Sequence, residues 1–277
     1  MMQNIHWETI YSTVGYVLKN YPLKIVLFCF LFLVLGLLIS SFLVIILKKY
    51  KALSRRQKYY NWFVKLYIPA IFIVNIVFSL KIGLFCGVYS ALKKDSYSIS
   101  EQVYNSSTYY IFKDNRSKKV FIEDLRKAVK DLSQKNNNAK VKVIDIAKAY
   151  HIKNDMIDLP KNWMASMFVN RYGDKIYSFI IYGILDSVPN GGITNELSYG
   201  EFDAISEKLV VLNPENIEKS IVQKIQNLFL MILKSQFKTI LKGILLIWVL
   251  LMCIPWFEFW IYTLLMKRLK DHNTIQK

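Results

Sequence analysis

The chain is poor in cysteine, histidine, glycine, proline and acid. Its three cysteines, Cys29, Cys86 and Cys253, all fall in apolar stretches and none stands in a CxxC pair, so neither a disulfide framework nor a cysteine-based metal site is implied. Ten glycines and six prolines in 277 residues exclude a collagen-like fibre and a low-complexity coil. No GxSxG, HExxH, Walker A or GxGxxG pattern occurs, which removes the commonest signposts of hydrolase, metalloprotease and nucleotide chemistry. Acid is the scarcest charge, with 20 Asp+Glu against 37 Lys+Arg and a net charge of +17.

Present instead are three long blocks nearly free of charge. Ile25–Leu47 holds none, the stretch between Lys65 and Lys93 holds only Lys81, and that between Lys242 and Lys267 holds only Glu258. About 20 mostly apolar residues in helical form cross a hydrocarbon core. Helix is the form that satisfies every backbone polar group in lipid. The first block exceeds the apolar core of a cleaved signal, lacks a small-residue cleavage site and runs into Lys48-Lys49, so it reads as a retained span.

The expected architecture is an integral membrane protein of three transmembrane α-helices, with a mixed α/β extracytoplasmic domain inserted between helices 2 and 3. Residues 1–22 form an amphipathic segment outside the membrane, either interfacial or docked on the ectodomain. Residues 23–92 form a transmembrane hairpin, with helices over about 24–48 and 65–92 and a basic turn over 48–61. Residues 93–239 form the ectodomain, 240–266 the third span and 267–277 a cytoplasmic tail. Six bases and no acid between Lys48 and Lys58 hold the hairpin turn in the cytoplasm. The N-terminus is then outside and the C-terminus inside. A Lys/Asn/Ile-rich composition suggests a bacterial inner membrane. Most of the excess base lies beside helix ends, where anionic lipid head groups are its expected partner and nucleic acid is not.

Within the ectodomain, Ser117 is expected to cap a helix over Lys118–Leu132. The stretch Lys140–Tyr150 can be read as strand at Val141 and Val143 running into helix over Ile144–Tyr150. Trp163–Val169 is expected as a short helix and Arg171–Asp174 as a turn. Lys175–Leu185 and Glu207–Leu212 are expected as strands. Asn213, with Pro214 and Glu215 behind it, is expected to open a helix that runs without a break through the third span, kinked near Gly243 and Pro255. His151, Asp155 and Asp158 make a weak H-x3-D-x2-D pattern, so no metal and no cofactor is expected.

The polar residues inside the spans are the candidate site. Counted at about 1.5 Å per residue from each cytoplasmic anchor, Glu258, Asn75, Ser40 and Ser41 fall in one intramembrane layer. Pro255 lies one turn before Glu258 as a helix kink. Lys81 falls near the outer interface, where snorkelling is its expected fate. Such a layer can line a path, bind helices together or sit in a wet vestibule. The expected function is non-enzymatic: a membrane-complex subunit whose ectodomain binds a partner and passes the result through the stalk helix, as in an envelope sensor, an immunity protein or an accessory transport subunit. A homo-oligomeric channel around Glu258 and Asn75 is the alternative.

Overall fold

The computed structural model describes residues 7–56, 58–108, 112–135, 140–153, 163–188 and 196–275. The elements in chain order are α1 (Trp7–Asn20), α2 (Pro22–Lys49), α3 (Lys58–Lys65), α4 (Tyr67–Ser107), α5 (Asn115–Lys135), β1 (Val141–Lys142), α6 (Val143–Lys153), α7 (Trp163–Asp186), β2 (Glu196–Leu197), α8 (Tyr199–Val211) and α9 (Pro214–Ile275). They divide into a unit of residues 1–92 and 234–277 and a second of residues 93–233. Among the described residues, three stretches are helical, long and apolar enough to cross a membrane: Pro22–Lys49, Lys58–Ser107 and Pro214–Arg268.

The first unit is built on a helical hairpin. Pro22 occupies the first turn of α2, where its missing N–H has no intrahelical duty. Against α2, α4 packs through small residues. A Cβ at Gly83 would stand 2.8 Å from the Cα of Cys29 and 2.9 Å from the carbonyl oxygen of Phe28, so only glycine admits that approach. Gly87, one turn on, lies against Ile25 in the same way, making Gly83-xxx-Gly87 a backbone-contact motif suited to apolar surroundings. Lys24 donates from Nζ to the carbonyl of Ser90 at 2.9 Å, fastening the far end of the pair.

At its other end α2 closes with a Schellman turn. Ala52 N–H donates to Leu47 O (2.9 Å) and Lys51 N–H to Lys48 O (3.0 Å), with Lys51 in the left-handed region at φ 55°. Leu47, Ala52 and Leu53 enter a small apolar core with Val44, Val64 and Ile71, around which Tyr60, Tyr67, Phe72, Met252, Trp256 and Phe259 pack. The basic turn is therefore folded into the bundle end.

The second unit is helical, and here the expected mixed α/β domain is corrected. Among the described residues its sheet is two two-residue strands, Val141 facing Leu197 and Lys142 facing Glu196, antiparallel. The strand expected over Lys175–Leu185 is the second half of α7. Ile176, Ile180, Ile181, Ile184 and Leu185 are all buried. A short apolar run buried on most sides carries the same composition in a strand or an inner helix. The turn expected at Arg171–Asp174 survives only as a kink, with Tyr172 at φ −125° and ψ 19°.

The strand expected over Glu207–Leu212 is the end of α8. That helix starts from a capping box in which Ser198 Oγ accepts from Glu201 N–H and the Glu201 carboxylate accepts from Ser198 N–H. The cap of α5 is not Ser117: Asp114 lies before the helix and its carboxylate accepts from Ser117 N–H at 2.7 Å. These hydrogen bonds hold the Asp114 and Glu201 carboxyls below the usual carboxylate range. Strand leading into helix at Val141–Lys153 is as the sequence allowed.

Phe121, Ile122 and Leu125 of α5, Met164 and Phe168 of α7 and Ile217, Ile221 and Ile225 of α9 are among the buried residues of this unit. Lys118, also buried, donates from Nζ to Leu212 O at 2.8 Å, where a cation suits the end of α8. Burial lowers the Lys118 pKa from the usual lysine value.

Candidate functional site

The site forms where the chain between α2 and α3 meets α9. Past the Schellman turn Ser54 N–H donates to Lys51 O at 3.1 Å, and the N–H of Arg55 donates to Asn61 Oδ1 at 2.9 Å, so α3 holds the segment in place. The Arg55 side chain is wholly out of solvent. Its guanidinium donates to the carbonyls of Ala52 (2.8 Å) and Ser54 (3.0 Å). The second terminal nitrogen forms a hydrogen-bonded ion pair with Glu258 of α9. The other Glu258 oxygen accepts from the Tyr60 hydroxyl.

Three rings enclose the cation. The guanidinium carbon lies 4.5 Å from the centre of Tyr262, 5.3 Å from Phe259 and 5.7 Å from Tyr60. Spacing on α9 explains the convergence. Glu258 and Tyr262 are four residues apart and Phe259 adjoins them, so one turn presents carboxylate and aromatics together. Pro255, buried one turn earlier, lies inside the continuous helix. Arg56 N–H reaches the Tyr262 hydroxyl at 3.3 Å. The charges meet in a partly dry environment, where ion pairs are stronger than in water and an unpaired charge is costly.

The other residues expected in the polar layer lie elsewhere. Asn75 is buried on α4 and accepts from Trp248 Nε1 at 2.8 Å, while its amide donates to Ile71 O at 3.0 Å. Trp248 precedes Glu258 by ten residues on the same helix, about 15 Å of rise. Thus Asn75 and Glu258 serve two separate contacts. Ser40 is buried and donates to Gly36 O at 2.8 Å; Ser41 is exposed and donates to Leu37 O at 2.9 Å. Both serines satisfy their own helix. Lys81 is exposed, with its ammonium 5.8 Å from the Phe78 ring centre.

Asp155, Asp158 and the loop at Pro189–Gly192 lie outside the described residues, and the described ones contain no group of three His, Cys, Asp or Glu placed to hold a metal ion. Sequence reasoning missed Arg55, which it counted only as one of six bases. The available signal was an acid alone in a span, Glu258, and a tight turn whose bases include an arginine, the cation best suited to a buried carboxylate. Comparison with protein-family models, characterised proteins and solved structures finds no match to this chain.

Proposed function

We propose that the chain is a non-enzymatic membrane-complex subunit in which residues 93–233 bind a partner and α9 passes the result to the Arg55–Glu258 clamp. The observation that carries this is one unbroken helix, Pro214–Ile275, which brings Ile217, Ile221 and Ile225 to one core and Glu258 to the clamp. A displacement or rotation of that helix strains the ion pair at its far end. A clamp of opposite charges around rings has two definable states, engaged and open, as a switch needs. In this reading the hairpin turn and the C-terminus are cytoplasmic and the inserted domain is outside, in a bacterial inner membrane. Lipid is the solvent of the spans.

The channel alternative needs Glu258 and Asn75 free to face a common axis. Their side chains are instead engaged by Arg55, Tyr60 and Trp248, which favours the coupling reading. The test has two parts. Photo-crosslinkers placed at the exposed Val120 and Val211 in cells should give an adduct with a different chain. The purified protein in planar bilayers should pass no current. Self-adducts alone, with a conductance that Glu258→Gln alters, would replace this proposal with the homo-oligomeric channel.

A further inference from the structure

The helix α3 has two apolar faces, and its own chain covers only one. Val64 is fully buried, and Tyr60 packs against the core at the hairpin end. On the other side Tyr59 is 91% exposed, Trp62 68%, Phe63 57% and Leu66 45%. These stand at i, i+3, i+4 and i+7, one continuous stripe along the helix and its last turn. In the same stretch of chain, residues 48–66, the cations Lys48, Lys49, Lys51, Arg56, Lys58 and Lys65 are all exposed. Among the described residues none of the six is in an ion pair. No acid occurs from Lys48 to Leu66, and the carboxylate of Glu258 is taken by Arg55 and Tyr60.

We infer that this face is a binding surface for anionic phospholipid: the Tyr59–Trp62–Phe63–Leu66 stripe enters the boundary between head groups and acyl chains, and the six cations hold phosphate head groups above it. The occupant must be apolar along one line and anionic beside it. A membrane surface has both layers in that order. Place argues the same way. The stripe lies at the start of the second membrane-length stretch, Lys58–Ser107, shortly after Lys49, where the first ends. An aromatic residue with an apolar body and a polar edge is at home at that depth. Arg55 is set apart from its five neighbours in the turn: it neutralises Glu258, which would otherwise repel phosphate, and leaves the others to the lipid. The inference rests on insertion of the hairpin in a membrane and not on the partner-binding reading.

The test uses the full chain in nanodiscs of phosphatidylcholine with phosphatidylglycerol, released into native mass spectrometry so that retained lipids are counted by head group. Phosphatidylglycerol should be retained in preference. The preference should fall at least about ten-fold in Lys48→Gln/Lys51→Gln/Arg56→Gln/Lys58→Gln. It should persist when the three lysines become arginine, and in the tail variant Lys267→Gln/Arg268→Gln. Tyr59→Ala/Trp62→Ala should lower retention of both lipids. Equal retention of the two lipids by the unsubstituted chain overturns the inference. So does an equal loss in the tail variant, which would assign the effect to total charge. A photo-crosslinker at Trp62 that joins a protein and no lipid also overturns it, in favour of an acidic protein groove. Vesicle flotation keeps the failures apart. A chain that floats with both compositions but shows no preference loses only this site, whereas one that floats with neither loses the membrane reading itself.

Discussion

Replacing Glu258 by Gln removes one charge and leaves nearly the same volume, so it isolates what the ion pair does. The Arg55 guanidinium, a cation, has no solvent access. In Glu258→Gln it must therefore stay buried and charged with two backbone carbonyls and three rings for company, or leave. Breaking one side of a buried pair costs about 3–5 kcal/mol in favourable cases. Glu258 retains 19% side-chain exposure, so some water can replace the lost charge, and the lower end of that range applies. If that cost falls on opening of the turn alone, exchange protection of the amides from Ala52 to Arg55 drops by roughly a hundred-fold or more.

Hydrogen exchange read by mass spectrometry on the protein in nanodiscs measures this directly, with the α2 amides as an internal standard. The diagnostic comparison is the double substitution Arg55→Met/Glu258→Met. Exchanging both partners for apolar residues of similar volume is often neutral or stabilising, because the desolvation cost of both ions disappears with them. The turn should then regain most of its protection, and a double-mutant cycle closed with the single variants Arg55→Met and Glu258→Met should return a coupling of about 2 kcal/mol or more. If Glu258→Gln leaves the turn unchanged, Glu258 is simply hydrated and the clamp is not a clamp. If the double variant is as open as the singles, Arg55 acts through its carbonyl and ring contacts, and the carboxylate is incidental.

Other consequences are sharp. Lys51→Gly should stabilise the hairpin end, by about 1 kcal/mol at most, because Lys51 sits at φ 55° where a Cβ is strained; a lower melting temperature for this variant would contradict the Schellman geometry. Gly83→Leu should lower the melting temperature in detergent, at a cost of about 3 kcal/mol or more, since its Cβ would meet the Cys29 and Phe28 backbone at under 3 Å; an unchanged value would mean that α2 and α4 do not touch there. The depressed carboxyls of Asp114 and Glu201 add stability that is fully present above the ordinary carboxylate pKa and is lost as pH falls through their lowered values. Asp114→Asn/Glu201→Gln should therefore flatten the fall of thermal stability between about pH 5 and pH 3, and an unchanged slope would refute the caps. In a cysteine-free background, Lys127→Cys should react with an impermeant thiol reagent in intact cells and Ser54→Cys only after permeabilisation; the reverse pattern would invert the topology.

How much of this was legible without coordinates depends on which physical term dominates locally. The membrane-length helices were legible because uncharged length is a one-dimensional property of the chain, and Ile25–Leu47 carries it openly. The start of α9 was legible because Asn213, Pro214 and Glu215 act within four residues of one another, and the Asn213 side chain does accept from Glu215 N–H at 3.2 Å. Lys175–Leu185 was not legible as helix. Its β-branched and aromatic residues fit a pleated surface, and what overrides that preference is burial among neighbours distant in sequence: Gly183 lets the backbone of Ile221 approach to where a Cβ would be 2.7 Å away. The α8 helix is a different case. The box Ser198-x-x-Glu201 was written in the chain, yet Leu209-Val210-Val211 at its far end looked like strand in isolation.

The candidate site divides along the same line. A lone acid in a span announces a partner, because an uncompensated carboxylate there is too costly to keep. Glu258 is therefore identifiable from the sequence, but counted depth groups it with Asn75, Ser40 and Ser41 in one layer and does not single out a partner. Depth counting treats each base as a mark on the membrane surface. Arg55 violates that premise: the Schellman turn reverses the chain, Asn61 holds it, and the guanidinium is carried back among Tyr60, Phe259 and Tyr262. One of the six bases that set the orientation is thus spent on internal electrostatics. The proposed orientation then rests on the five that remain in that segment, since each exposed base beside an anionic leaflet contributes separately, and the thiol-labelling pair above tests it.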